Sequence, residues 1–172
     1  DLCIVEPIAG STGTLVPPKG YLQRLREICD KYGILLIFDE VITGWGRTGS
    51  SFASHEFGVT PDLMTMAKAT TNGVVPMGVV ACKDEIYDAV MDASPMGSVE
   101  LFHGYTYSGI PVAVAAGLAV QDIFEKEDIF NRAKNLAPYF QKGLFSLQDL
   151  ESVENIRGYG MMGGIDMKID RK

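Results

Sequence analysis

Residues 34–49 read ILLIFDEVITGWGRTG, and this stretch decides the fold class. The apolar run from Ile34 to Phe38 has the length of one buried strand and ends in two carboxylates, Asp39 and Glu40. A strand this apolar is typical of a parallel sheet with both faces covered. Since α/β proteins bind ligands beyond the carboxyl ends of such strands, the acid at this position predicts a binding site there.

The sequence before this stretch completes a strand–helix–strand unit. Leu2 to Val5 has the pattern of a buried strand, and residues 19–32 place apolar side chains at helical spacing. Gly33 ends that helix. We therefore predict a βαβ unit with a right-handed crossover.

The remaining sequence extends the sheet and then begins a second, α+β domain. A long irregular segment, residues 92–108, is rich in glycine, serine and aromatic residues, as functional loops often are. Asp128 is expected to cap or open the last long helix. The predicted elements are a short helix at 52–57, strands at 63–67 and 78–82, helices at 84–91, 111–125 and 128–147, and strands at 153–157 and 161–167.

The composition excludes several classes of partner. The 172 residues carry a formal net charge of −7 without a basic stripe, which argues against nucleic acid and anionic membrane surfaces. The apolar runs are too short to span a bilayer. We interpret the three cysteines as buried or half-buried thiols of a cytoplasmic protein, and we expect no metal site because zinc-ligand spacing is absent. These cysteines are Cys3, Cys29 and Cys82.

Both ends of the chain appear cut in the sequence, because it opens directly on a strand without methionine and stops after a strand-like run. We therefore expect a fragment of a longer protein.

Three polar residues at the ends of apolar segments indicate chemistry: Asp39, Lys68 and Thr106. Burial of a lysine inside MTMAKATTNG would favour the neutral, nucleophilic amine. An aspartate can hold a protonated ring nitrogen, a lysine can bond an aldehyde, and a loop hydroxyl can bind phosphate. Pyridoxal phosphate (PLP) carries all three of these groups. On these residues alone a generic α/β domain also stays open, with a turn-capping aspartate, a solvated lysine and a loop threonine.

Three motifs resemble the class III (omega) aminotransferases of PLP fold type I. They are LLIFDEVITGWGRTG, PDLMTMAKATTNGVVPMG and HGYTYSGIPVAVAAG, at residues 35–49, 61–78 and 103–117. The omega-amino acid:pyruvate (β-alanine:pyruvate) transaminases are the most similar branch. The resemblance implies that residues 1–130 are the later part of the PLP-binding large domain, with its mainly parallel sheet. Residues 131–172 are then a linking helix and the start of the C-terminal small domain.

The resemblance also assigns roles to individual residues. Asp39 matches the aspartate that pairs with the pyridine nitrogen, and Lys68 matches the lysine that bonds the cofactor and shuttles a proton. Val41 matches an aliphatic residue packed on the ring. Thr106 matches the threonine that reaches the phosphate of the neighbouring subunit's cofactor, which implies a homodimer or a dimer-based tetramer. Glu6 matches an acid near the active site.

Departures from the family pattern bear on the substrate. Many relatives have glutamate in place of Ser11 and glutamine in place of Ile42, and the absence of the glutamate weakens an ornithine or GABA assignment. The β-alanine:pyruvate branch is similar to this chain at both positions. Trp45 fills a position often held by an aromatic residue, as packing would explain. His103 could contact the cofactor region or be a structural loop histidine.

The expected activity is transfer of an amino group from an omega-amino acid or amine to pyruvate or a similar keto acid. A glutamate-1-semialdehyde-type aminomutase is one alternative, and a non-catalytic α/β module with an aromatic interface loop is another. A nucleotide-binding domain is disfavoured, because GSTGT is neither GxGxxG nor GxxxxGK. By resemblance, other parts of the cofactor and substrate sites lie outside these residues, so the fragment alone is expected to be inactive.

Overall fold

A computed structural model describes residues 1–96, 101 and 105–168. The strands are Leu2–Val5 (β1), Leu35–Asp39 (β2), Leu63–Met66 (β3), Val79–Cys82 (β4), Val153–Tyr159 (β5) and Met162–Met167 (β6). The helices are Tyr21–Tyr32 (α1), Ala53–Phe57 (α2), Asp84–Asp92 (α3), Pro111–Lys126 (α4) and Ile129–Phe145 (α5). A short 3-10 turn covers Lys68–Thr70. The predicted elements are therefore present, with ends shifted by a few residues.

The four-stranded sheet has the order β1-β2-β3-β4. The first three strands are parallel, with Leu2 paired to Leu35 and Ile37 paired to Leu63, whereas β4 runs antiparallel to β3. The prediction of a βαβ unit and a mainly parallel sheet is confirmed. The carboxyl ends of β2 and β3 consequently meet at one edge of the sheet.

Helix α1 covers one face of this sheet. Leu22 and Cys29 of α1 are buried, and they form one core with Leu36, Phe38 and Val59. Sequence periodicity predicts this packing, because leucines and cysteine recur on one side of the helix.

The opposite face of the sheet is open, so the expectation of two covered faces is wrong for the described residues. Alternation along the strands turns Leu2 and Ile4 away from the core, and both are more than half exposed. Val80 of β4 is equally exposed. Apolar composition alone predicts burial without showing which element covers which face.

The second half of the chain packs α4 against α5 and then forms a hairpin of β5 and β6. The Gln141 side chain of α5 donates through Nε2 to the carbonyls of Gly160 and Met162, at 2.8 and 2.9 Å. The hairpin also meets the first half, because the Met161 N–H donates to the Arg47 carbonyl at 2.8 Å. The hairpin thereby holds the loop after β2.

Asp128 opens α5 as predicted, but it does so in a left-handed conformation (φ 49°) and without a capping hydrogen bond; its carboxylate accepts instead from the nearby Asn131 side chain. The prediction for Cys82 is wrong. Cys82, expected to be at least half-buried, is exposed, because it ends the strand at the edge of the sheet.

Within residues 1–96, 101 and 105–168, no helix is long and apolar enough to cross a bilayer. The same residues contain no group of three or more side chains arranged to hold a metal ion.

Candidate active site

Asp39 is the last residue of β2 and is half-buried. Its Oδ1 accepts a hydrogen bond from the Val41 N–H at 3.0 Å. Among the described residues, none bonds to Oδ2. The turn after the strand therefore orients this carboxylate and leaves one oxygen available to another group.

Thr65 lies directly opposite Asp39 in the β2–β3 register, so the two side chains share one face of the sheet. The Thr65 Oγ1 is buried and has no hydrogen-bond partner within the described part of the chain. Because a buried hydroxyl without a partner costs free energy, an orphan hydroxyl beside a carboxylate indicates a place for a further polar group. Sequence reasoning missed Thr65, although its period-2 position in MTM could have indicated it.

Lys68 begins the 3-10 turn that follows β3, and it adopts a left-handed backbone conformation with φ 44°. Its side chain is exposed and forms no ion pair with the described residues. The expectation of a buried lysine is therefore wrong for this chain, because Lys68 lies beyond the strand end, where no described layer covers it. A non-glycine residue held at positive φ is often found at a functional site.

The parallel pairing of β2 and β3 brings Asp39 and Lys68 to the same edge. Asp39 pairs with Thr65, and Lys68 follows Thr65 by three residues. Three residues span at most about 10 Å, so the backbone of Lys68 lies near Asp39 at this edge. This juxtaposition of an acid and an amine follows from the sheet order.

Glu40, the second acid after β2, has a different role. It is fully buried, and its carboxylate accepts hydrogen bonds from the Thr43 hydroxyl and from the Ala53 and Ser54 N–H groups, at 2.7, 2.8 and 2.7 Å. These bonds tie the loop after β2 to the first turn of α2. Glu40 is thus a structural acid, and its separation from Asp39 follows from strand alternation, which turns neighbouring side chains apart.

Glu6 follows β1, the third strand of this edge. Its Oε2 accepts the Gly10 N–H at 2.9 Å and orders the loop that contains Gly13. Val41 is half-buried immediately after Asp39 and Glu40. Both predicted residues therefore lie at the carboxyl edge, next to Asp39 in the sheet or in the chain.

Thr106 lies in the turn before α4 and is exposed. None of the described hydrogen bonds or ion pairs joins it to Asp39 or Lys68. The structure therefore does not bring this residue into the Asp39–Lys68 pair. The prediction for His103 falls outside the described residues.

A saturated charge cluster marks the other end of β3. Asp62 accepts the Leu36 N–H at 2.7 Å and forms ion pairs with Arg26 and Lys83 at 2.8 and 2.7 Å. Burial opposes ionisation, but the bonds from Lys83, Leu36 and Arg26 outweigh it and lower the pKa of Asp62 to about 2. The sequence analysis did not identify this cluster.

Comparison with known proteins identifies the class of this scaffold. The family model for Aminotransferase class-III matches residues 3–172, and the chain belongs to that family. Class-III aminotransferases use PLP.

Within this family, the chain is similar to two aminotransferases of known name. The chain is 56% identical over 165 residues to an omega-aminotransferase of Caulobacter vibrioides and also to a beta-alanine--pyruvate aminotransferase of Pseudomonas aeruginosa, covering 96% and 95% of this chain. It spans 37% of the length of each.

Solved structures agree with the fold. An omega-transaminase from Thermomicrobium roseum superposes with a TM-score of 0.90 at 42% identity, over 98% of this chain and 37% of that one. A taurine:2-oxoglutarate aminotransferase from Bifidobacterium kashiwanohense, described in complex with PLP and glutamate, gives 0.86 at 35% identity, over 96% and 36% of the two chains.

Proposed function

We propose that the complete protein containing this chain is a PLP-dependent aminotransferase. It moves an amino group from an omega-amino acid or amine to pyruvate or a similar keto acid. The observation that carries the proposal is the placement of Asp39 and Lys68 at adjacent carboxyl ends of β2 and β3 in a class-III chain. The relatives named for omega-amino donors and for pyruvate support the substrate class.

The groups at this edge fit PLP. Asp39 offers a free carboxylate oxygen to a protonated ring nitrogen, and Lys68 offers an exposed amine to an aldehyde. The orphan Thr65 hydroxyl is a polar group that a bound ligand can satisfy. All three lie at the end of one strand pair, where α/β proteins bind ligands.

PLP, when bound, supplies an electron sink for the charge left when a substrate C–H bond breaks. Asp39 places a negative charge beside the ring nitrogen and so holds a proton there. Lys68 would hold the cofactor through Nζ. The same Nζ would move a proton from and back to the substrate region, as a general base and acid.

Three further residues would contribute to the proposed site. Val41 would lie against the cofactor ring, and Glu6 would hold the loop beside it. Thr106 would bind a phosphate in the site of a second subunit, and the protein would then be a homodimer or a dimer-based tetramer. We also propose the division into large domain (1–130) and start of small domain (131–172), and a cytoplasmic location.

The test is an absorbance spectrum of the complete protein with PLP, followed by borohydride reduction and peptide mapping. We expect a cofactor band that reduction attaches to Lys68. Lys68→Ala should lose both, whereas Lys19→Ala, at an exposed lysine before α1, should keep both. Attachment to another lysine, or no band in the unaltered protein, would refute the proposal.

A further inference from the structure

One side-chain hydroxyl links the loop after β2 to the turn that carries Lys68. The Trp45 indole N–H donates to the Thr70 Oγ1 at 3.2 Å, and the Thr70 hydroxyl donates to the Ala67 carbonyl at 3.1 Å. Ala67 immediately precedes Lys68, and Thr70 ends the same 3-10 turn. This indole–hydroxyl–carbonyl relay therefore spans the backbone on both sides of the lysine.

Trp45, at one end of the relay, and Lys68, next to the other end, have unusual backbones. Lys68 and Trp45 have φ values of 44° and 60°, in the left-handed region that favours glycine. Such conformations cost free energy and persist only where the surrounding structure holds them. The relay is suited to this task because it bonds the carbonyl directly before Lys68.

Packing keeps the relay in place. The Trp45 ring lies between Phe52 and Phe124, with centroid distances of 5.0 and 5.6 Å. Thr70 is buried, and Gly117 of α4 lies beside its carbonyl, where an added Cβ would be in ordinary van der Waals contact at 3.7 Å. The indole N–H therefore has a defined direction, which simple aromatic packing would not require.

We propose that Trp45 and Thr70 are positioning residues that hold the Lys68 turn in its active conformation. The inference rests on the proposed function, because it assumes that the Lys68 amine is the reacting group. Neither residue needs to touch substrate. Their effect passes through the Ala67 carbonyl to the backbone of Lys68.

The test uses the complete PLP-loaded protein, four variants of the relay and one control variant. Trp45→Phe keeps the ring and removes the donor, Thr70→Val removes the hydroxyl, Thr70→Ser keeps it, and the fourth combines Trp45→Phe with Thr70→Val. We expect each single loss to lower kcat about fivefold, the effect of one neutral hydrogen bond, with KM within about twofold. The pH midpoint of the cofactor–lysine absorbance band should shift in both, while Thr70→Ser stays near the unaltered protein.

In the double variant kcat should also be lowered only about fivefold, because both changes break the same relay. Two independent effects would instead multiply. Thr71→Val is the matched control, since the buried Thr71 hydroxyl bonds the Val75 carbonyl at 2.5 Å and takes no part in the relay. Its midpoint should not move. If Thr70→Val does not fold, Trp45→Phe and Thr70→Ser carry the test.

An unshifted midpoint in Trp45→Phe, multiplicative losses, or an equal shift in Thr71→Val would overturn the inference while leaving the proposed function intact. An unaltered protein that does not bind PLP at Lys68 would overturn both.

Discussion

At the amino end of β3, Asp62 is bonded to Leu36, Arg26 and Lys83, whereas at the carboxyl end Lys68 pairs with none of the described residues. Asp39, beside the same end, also leaves one carboxylate oxygen without a partner in the described chain. Charged groups without a protein partner contribute little to the stability of a fold, so the comparison separates a structural charge cluster from the proposed active site. Substitutions at the two ends should therefore affect different properties.

The largest expected effect is on turnover at the carboxyl end. Asp39→Ala in the complete protein should lower kcat by at least about 10²-fold, because the charge that holds the ring proton is lost. Cofactor attachment to Lys68 should persist, as the absorbance band will show. Asp88→Ala, at an exposed acid of α3, is the control and should keep its turnover. Near-normal turnover in Asp39→Ala would contradict the assignment of this end as the active site.

Substitutions at the amino end of β3 should lower the stability of the protein. Asp62→Asn leaves Arg26 without its buried partner and should lower the free energy of unfolding by about 3 kcal/mol, measured by denaturant titration. Asp30→Asn breaks an exposed pair with the same arginine and should cost less than about 1 kcal/mol. Equal losses of unfolding free energy in the two variants would contradict the assignment of Asp62 as the more stabilising partner of Arg26.

The neighbouring acids Asp39 and Glu40 allow the same comparison between a structural and a proposed catalytic residue within one turn. Glu40→Gln turns an amide toward the Ala53 or Ser54 N–H and should lower the free energy of unfolding by about 2 kcal/mol. Asp39→Asn should change stability by less than about 1 kcal/mol, since it loses no buried partner. Thermal unfolding of both variants measures these changes. A larger loss of stability in Asp39→Asn than in Glu40→Gln would contradict the roles given to these acids.

The smallest effect concerns acid titration. The pKa of Asp62 is lowered from 3.8 to about 2 on folding, so its stabilisation is complete above pH 4 and disappears as the pH falls through 2. This shift corresponds to about 2 kcal/mol. The stability difference between the unaltered protein and Asp62→Asn should shrink across that interval. A constant difference from pH 4 to pH 2 would show that ionised Asp62 does not stabilise the fold.

Much of the fold could be predicted because local patterns specify it. The apolar run before Asp39, the helical spacing of α1 and the glycine at position 33 each act within a few residues. The positions of Asp39 and Lys68 at strand ends were predictable for the same reason. The exposure of Lys68 was not, because burial depends on which layers cover a strand end.

The sequence by itself determined the strand and helix order, the family resemblance and the two residues on which the proposed chemistry depends. Only the tertiary structure decided that Glu40 is structural while Asp39 keeps a free oxygen, and that Thr70 bonds Trp45, which lies 25 residues away. It also decided that one face of the sheet stays open among the described residues. Local preferences act along the chain, whereas hydrogen bonds and burial depend on groups that only the folded chain brings together.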